Sequence, residues 1–163
     1  MIQRRRSGIA GWGVYATQDI PKNKRIIDYA GEKITHKESS VREDRYLKRG
    51  QIWCFTLNNR WVIDAGVGGN IARYINHACK PNCYSHIVDG VIWIRASRNI
   101  RKGEELSYDY NTTGDAEIPC QCRPGCQHMS SMSRYRQSVA PATARCTSST
   151  SPGFAVPLNG VSR

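Results

Sequence analysis

Three cysteines crowd into Cys120-Gln-Cys122-Arg-Pro-Gly-Cys126, and two more frame the short loop Cys79-Lys-Pro-Asn-Cys83. The remaining two are Cys54 and Cys146, and an odd total of seven cannot pair completely within one chain. Spacing this tight suits thiolates converging on one ion better than a set of disulfides. A tetrahedral zinc site needs four soft ligands. Cys120, Cys122 and Cys126 supply three, and the fourth is Cys79, Cys83 or His128, a choice that spacing does not make. With Cys79 as the fourth, the metal ties the end of the folded region to its middle, and removing it releases that end.

The rest of the pattern is short strands and turns. Gly13-Val-Tyr-Ala16 and Arg25-Ile-Ile-Asp-Tyr29 read as strands around a Pro21-Lys-Asn turn. Residues 52–57 and 60–63 flank Asn58-Asn59 as a hairpin, and residues 84–96 form a second around Asp89-Gly90, a pair that tolerates the left-handed backbone of a tight primed turn. Helical stretches are predicted from Lys37 to Lys48 and, capped by asparagine, from Asn70 to Ile75. Many short strands with little helix make the fold class mainly β, of the α+β kind, and not a doubly wound sheet. The folded region is expected to occupy residues 1–128. From Met129 to Arg163 there is no Asp, Glu or Lys, and Ser, Thr, Pro and Ala dominate, a composition expected to stay disordered.

No stretch approaches the ~18 apolar residues of a membrane helix, so spanning is excluded. Arg4-Arg5-Arg6 ahead of Ile9-Ala10-Gly11 is too short and glycine-broken a start for a secretory signal, which points to an intracellular, reducing setting in which thiols bind metal. The formal net charge of +11 either keeps the chain soluble or faces an anionic partner such as nucleic acid or a nucleosome. The glycines at 8, 11 and 13 and at 66, 68 and 69 do not match a phosphate-gripping loop. Asn76-His77 offers donors and acceptors in one polar, rigid segment. Alternation places Tyr108 and Tyr110 on one strand face, either as half-buried packing or as the lining of a narrow channel.

Taken in order, Gly11-Trp-Gly13-Val-Tyr-Ala16, Tyr29-Ala-Gly31-Glu32, Asn70-Ile-Ala-Arg73-Tyr-Ile-Asn76-His77-Ala-Cys79-Lys-Pro-Asn82-Cys83 and Gly103-Glu-Glu-Leu-Ser-Tyr108-Asp-Tyr110, followed by Cys120-Gln-Cys122, resemble the SET-domain protein-lysine methyltransferases. The resemblance covers residues 7–126. It implies a SET fold of small curved sheets with a C-terminal pseudoknot, a SET domain over 1–118, a post-SET zinc-binding segment over 119–128 and a tail over 129–163. It also implies a pocket for S-adenosyl-L-methionine made by Gly11, Trp12, Gly13, Asn76, His77 and the post-SET segment with Gln121, with Tyr29 and Arg73 near the cofactor or framing the lysine channel. Arg73 is alternatively a structural ion-pair partner. Tyr110 matches the catalytic tyrosine, Tyr108 the position that tunes how many methyl groups are added, and Cys79, Cys120, Cys122 and Cys126 the zinc ligands.

The substrate implied is a lysine in a protein or peptide, a histone or another target, with the enzyme in the nucleus on chromatin in a eukaryote and in the cytoplasm or exported to a host in a bacterium. Deprotonating a lysine of pKa ~10.4 costs about 4–5 kcal/mol at pH 7, and an apolar channel near a sulfonium lowers that cost. A tyrosine at 108 is expected to crowd the amine and stop the reaction mainly at monomethyl-lysine, with some dimethyl. Three features depart from the family pattern: three residues, not four, separate Cys122 from Cys126; Ala78 stands where serine is usual; and Trp53 or Phe55 stands where a channel tyrosine is common. The competing reading is a non-catalytic SET-like zinc module that binds chromatin or nucleic acid.

Overall fold

The computed structural model describes residues 1–111, 116–123, 126 and 129–132. Twelve short strands, one α-helix and one 3-10 turn are found among them. The strands are β1 (Ile2–Arg6), β2 (Trp12–Ala16), β3 (Arg25–Asp28), β4 (Glu32–Thr35), β5 (Cys54–Thr56), β6 (Trp61–Asp64), β7 (Asn76–His77), β8 (Cys83–Val88), β9 (Val91–Ala96), β10 (Glu105–Tyr108), β11 (Ala116–Pro119) and β12 (Met129–Met132). They form small sheets in the orders β1-β2-β10-β7, β3-β9-β8, β4-β6-β5 and β11-β12. The mainly β expectation of small sheets holds.

The alternation in β9 shows how the core is made. Ile92, Ile94 and Ala96 point inward and are at most 2% exposed, while Val91, Trp93 and Arg95 face out. Inward residues of β2, β5 and β10 (Val14, Phe55, Leu106, Tyr108) meet Ile20, Ile75 and Ile100 in one apolar cluster. Each such large side chain contributes roughly 1.5–3 kcal/mol by leaving water. The hairpin at Asp89-Gly90 forms as expected, with φ of 51° and 74°. The helix α1 (His36–Leu47) starts at Thr35, whose side chain accepts from the Glu38 N–H while the Glu38 carboxylate accepts the Thr35 N–H. Asn70 caps a single 3-10 turn, Ile71–Tyr74, shorter than the predicted helix.

One pairing positions the site. β10 lies between β2, antiparallel with Leu106 opposite Val14, and β7, parallel with Ser107 opposite Asn76 and Tyr108 opposite His77. A parallel pair cannot be closed by a tight turn. The β8–β9 hairpin fills the excursion from β7 to β10, which brings the Asn76-His77 segment beside a strand from the end of the domain.

Five elements escaped the sequence reading. Arg4–Arg6, read as a basic cluster, belongs to β1, in register with β2 from Ile2 opposite Ala16 to Arg6 opposite Trp12. β4 carries one buried residue, Ile34, and β7 is two residues long, so neither shows a period. β11 pairs with β12, so the boundary drawn at 118/119 falls inside a strand and the first four residues of the stretch assigned to the tail are paired. Backbone hydrogen bonds make that pair, and composition does not report them. Residues 133–163, the remainder of that stretch, lie outside the described residues, as does His128. No helix among the described residues is long and apolar enough to cross a membrane.

Candidate active site and metal centre

Gly11 ends the bend that leads into β2, and Trp12 and Gly13 open that strand. Gly11 has φ of 45°, open to glycine at little cost. At Gly13 a Cβ would collide with the Glu105 carboxylate. The Asn76 side-chain amide lies against this stretch. Its Nδ2 donates to Ser7 Oγ (3.0 Å), to the Trp12 carbonyl (3.0 Å) and to Glu105 Oε1 (2.9 Å), with the Ala10 carbonyl at 3.4 Å. Glu105 in turn accepts from the Ser7 hydroxyl at 2.7 Å and the Tyr15 hydroxyl at 2.8 Å. Acceptor oxygens thus converge on the Asn76 amide beside an exposed strand end, an acceptor set that suits the ammonium of an amino-acid ligand. Trp12, 38% exposed, has the guanidinium of Arg4 at 4.5 Å and that of Arg6 at 4.4 Å from its ring centre.

One residue along, His77 bridges two parts of the site. Its Nδ1 accepts the Tyr110 backbone N–H at 3.3 Å, and its Nε2 lies 3.6 Å from Cys79 Sγ. With Nδ1 accepting, the neutral ring carries its proton on Nε2, facing the sulfur. Asp109 Oδ1 stands 3.6 Å from Nδ1.

Tyr108 and Tyr110 do meet, although β10 ends at Tyr108 and Tyr110 lies beyond it: their ring centres are 5.0 Å apart. Tyr108 is fully buried and stacks on Phe55 at 6.1 Å, and Phe55 meets Tyr29 edge-on at 5.2 Å. Of the two residues expected in the channel stretch, Phe55 therefore joins this aromatic group. Trp53 lies under the Arg73 guanidinium at 4.9 Å. The Tyr110 hydroxyl donates to the Ile75 carbonyl at 2.7 Å. Burial pushes the phenols of Tyr29, Tyr108 and Tyr110 well above their ordinary value, with the Glu105 charge adding to the effect at Tyr110. All three are protonated at neutral pH.

Tyr29 is buried in the aromatic group and donates its hydroxyl to the Trp53 carbonyl at 3.0 Å. Arg73 donates to the Ala65 carbonyl and the Tyr74 hydroxyl, each at 2.9 Å, and no carboxylate lies within 4.0 Å among the described residues, so the ion-pair alternative is not realised there. A backbone carbonyl, a phenol oxygen and two aromatic faces meet the guanidinium instead, while its Nε is buried with no hydrogen-bond partner among the described residues. Gln121 is exposed.

Cys79, Cys120, Cys122 and Cys126 converge, with all four sulfurs within 4.8 Å of one another. Cys79 Sγ is 3.5 Å from that of Cys120 and 3.9 Å from that of Cys126. Burial, then the neighbouring sulfurs, pushes the Cys79 thiol far up, and burial raises Cys120 to about 11. Bare, Cys79 and Cys120 stay protonated at neutral pH; a divalent cation at the centre of the four sulfurs favours the thiolates, so the cluster could hold a metal ion. Cys83, the competing ligand, is turned into the core with Sγ 3.5 Å from Asn82 Oδ1, and burial raises it to about 12. Ser7, Glu105, Asp109 and the Ala10, Trp12 and Ile75 carbonyls were missed by the sequence reading. Glu105 lay inside a quoted motif, but only its pairing with Tyr15 reveals what it faces.

The SET domain family profile matches residues 11–111. The Drosophila melanogaster histone-lysine N-methyltransferase trr is 46% identical over 131 residues, 75% of this chain and 5% of that protein. The H3 lysine-4 specific histone-lysine N-methyltransferase of Emericella nidulans is 45% identical over 133 residues, 75% of this chain and 11% of that relative. A chain of a humanized mutant of the Chaetomium thermophilum Polycomb Repressive Complex 2, bound to an inhibitor, superposes with a TM-score of 0.60 at 36% identity, over 68% of this chain and 15% of that one. The chain therefore spans a small fraction of the length of the relatives it matches.

Proposed function

Because the chain belongs to the SET-domain family, we propose that it transfers methyl groups from S-adenosyl-L-methionine to the side-chain amine of a lysine in a histone, acting on chromatin in the nucleus. The observation that carries this reading is the meeting of Asn76, His77 and Tyr110 at the β7–β10 pair, beside four convergent sulfurs. Histone H3 lysine 4 is the first target proposed, since that residue is named for the fungal relatives.

S-adenosyl-L-methionine supplies a methyl group on a sulfonium, open to in-line attack by a neutral amine. In this reading the Gly11–Gly13 segment, Trp12, Asn76, His77 and Gln121 hold the cofactor, with the acceptor oxygens around Asn76 taking its ammonium. Tyr108, Phe55 and Tyr29 wall the lysine side and exclude water, which favours the neutral amine. Tyr110 acts as an orienting donor and not as a base, because its raised pKa keeps the phenol protonated. Cys79, Cys120, Cys122 and Cys126 hold zinc, which fastens the C-terminal segment against β7. A SET domain followed by a post-SET segment, with their boundary beyond β11 and not at 118/119, and a nucleic-acid contact through the positive surface belong to the same proposal. The non-catalytic alternative gains nothing from the site, since the phenol pair and the Asn76 cluster are both assembled.

The test is incubation of the full chain with methyl-labelled S-adenosyl-L-methionine and a panel of histone peptides, with products read by mass spectrometry. Methylated lysine made by the wild type and absent with Tyr110→Phe is expected. Absence of both cofactor binding by calorimetry and methyl transfer to every substrate would overturn the reading.

A further inference from the structure

The solvent-facing side of the β3-β9-β8 sheet carries an unbalanced positive charge. Strand register places Tyr84, Arg95 and Arg25 in one cross-strand row and His86, Trp93 and Asp28 in the next. The Arg25 guanidinium lies 5.3 Å from the centre of the Trp93 ring, and that of Arg95 lies 5.9 Å from Tyr84. Arg95 is braced by donating to the Asn23 carbonyl at 2.8 Å. The Pro21–Lys24 turn is fastened to the end of β9 by Asn23 N–H to the Ala96 carbonyl and Ala96 N–H to the Lys24 carbonyl. That adds the exposed Lys22 and Lys24 to the same edge.

Like charges directly opposite on neighbouring strands destabilise a sheet, and here two arginines stand so with no carboxylate within 4.0 Å of either among the described residues. Asp28, the acid in the Trp93 row, accepts from the Asn70 amide at 3.3 Å. An external anion relieves the repulsion, and guanidiniums already stacked on aromatic rings lose little freedom on gripping it. Trp93 and Tyr84 have guanidiniums over their rings, which leaves those rings poorly placed to stack on bases, so the face suits a phosphate backbone more than splayed single strands.

We propose that this face, through Arg25, Arg95, Lys22 and Lys24, binds the phosphate backbone of duplex DNA. The proposal gives a location to the reading of the excess charge as a nucleic-acid contact and does not depend on the methyl-transfer reading.

The test is fluorescence anisotropy of a labelled mixed-sequence duplex with the full chain, titrated between about 50 and 200 mM salt. Each lost phosphate contact lowers the slope of log K against log salt by about 0.9, so Arg25→Gln with Arg95→Gln is expected to lower it by about 2. Arg25→Lys with Arg95→Lys retains most of the slope, which separates loss of charge from loss of fold. Lys22→Gln with Lys24→Gln, on a surface turn, gives a second reduction without touching the sheet. Tyr110→Phe leaves duplex affinity unchanged, so failure of methyl transfer and failure of this proposal are read separately. The proposal is overturned by wild type without salt-dependent duplex binding, by an unchanged slope in both glutamine variants, by transfer of the loss to Arg4→Gln with Arg5→Gln and Arg6→Gln, or by tighter binding of an acidic peptide at the same face.

Discussion

His77 accepts the backbone N–H of Tyr110 at 3.3 Å, and the opposite nitrogen of the same ring faces the Cys79 sulfur at 3.6 Å. One imidazole therefore links the sulfur cluster to the residue proposed to orient the reacting amine. Partners of a metal ligand fix its geometry and its basicity. Replacing His77 with Phe is expected to cost about 10–100-fold in zinc affinity or activity, measured by competition with a chromophoric chelator and by initial rates. Unchanged values in both would remove His77 from the link.

Cys83 and Cys122 make a direct test of the ligand set. Cys122→Ser is expected to lose bound zinc and lower the melting temperature, whereas Cys83→Ser, at a sulfur that packs in the core, retains one zinc per chain. Elemental analysis of the purified variants decides it.

Tyr110→Phe removes the hydroxyl that donates to Ile75, and a misplaced amine of about 1 Å costs on the order of 100-fold in rate. Tyr108→Phe keeps the ring stacked on Phe55 and is expected to shift products from monomethyl-lysine toward di- and trimethyl-lysine. A wild type that yields mainly trimethyl-lysine, with Tyr108→Phe giving the same distribution, would refute that role.

Glu105 accepts hydrogen bonds from Ser7, Tyr15 and Asn76. Glu105→Ala leaves those donors short of an acceptor, a cost of about 1–3 kcal/mol for each that is buried. Weaker binding of S-adenosyl-L-methionine by calorimetry is expected beyond any change in stability, because Asn76 and the chain at Gly13 lose their brace.

The Tyr46 hydroxyl donates to the fully buried Asp64 carboxylate at 3.0 Å, and burial, then Asp64, raises the phenol to about 12 from its ordinary 10.0. In that window the unfolded chain releases the proton and the folded chain retains it, so stability falls as pH rises from about 10 to about 12. Tyr29, Tyr108 and Tyr110 act with the same sign. Denaturant unfolding across this range should show a shallower loss for Tyr46→Phe than for the wild type.

Local chemistry made several elements readable in advance. Asp89-Gly90 sets a hairpin because both residues accept positive φ, and the chain reads as helix from Lys37, although its Thr35–Glu38 start, one residue ahead, shows only in the structure. Three of the four converging sulfurs are six residues apart or fewer, so their grouping was legible as well. The fourth was not: residues alone left Cys79, Cys83 and His128 equal, and the resemblance alone favoured Cys79.

What the chain's order of residues determined by itself was therefore most of the short strands, their turns and the presence of a thiol cluster, since each depends on neighbours within a few positions. Tertiary structure decided the rest. The parallel pairing of β7 with β10 sets Asn76 against Glu105 and His77 against Tyr110, while β8, paired with β9, holds Cys83 in the core and leaves Cys79 in the loop before it to join the cluster. These contacts join segments tens of residues apart, and only closure of a shared apolar core repays the entropy of bringing such segments together.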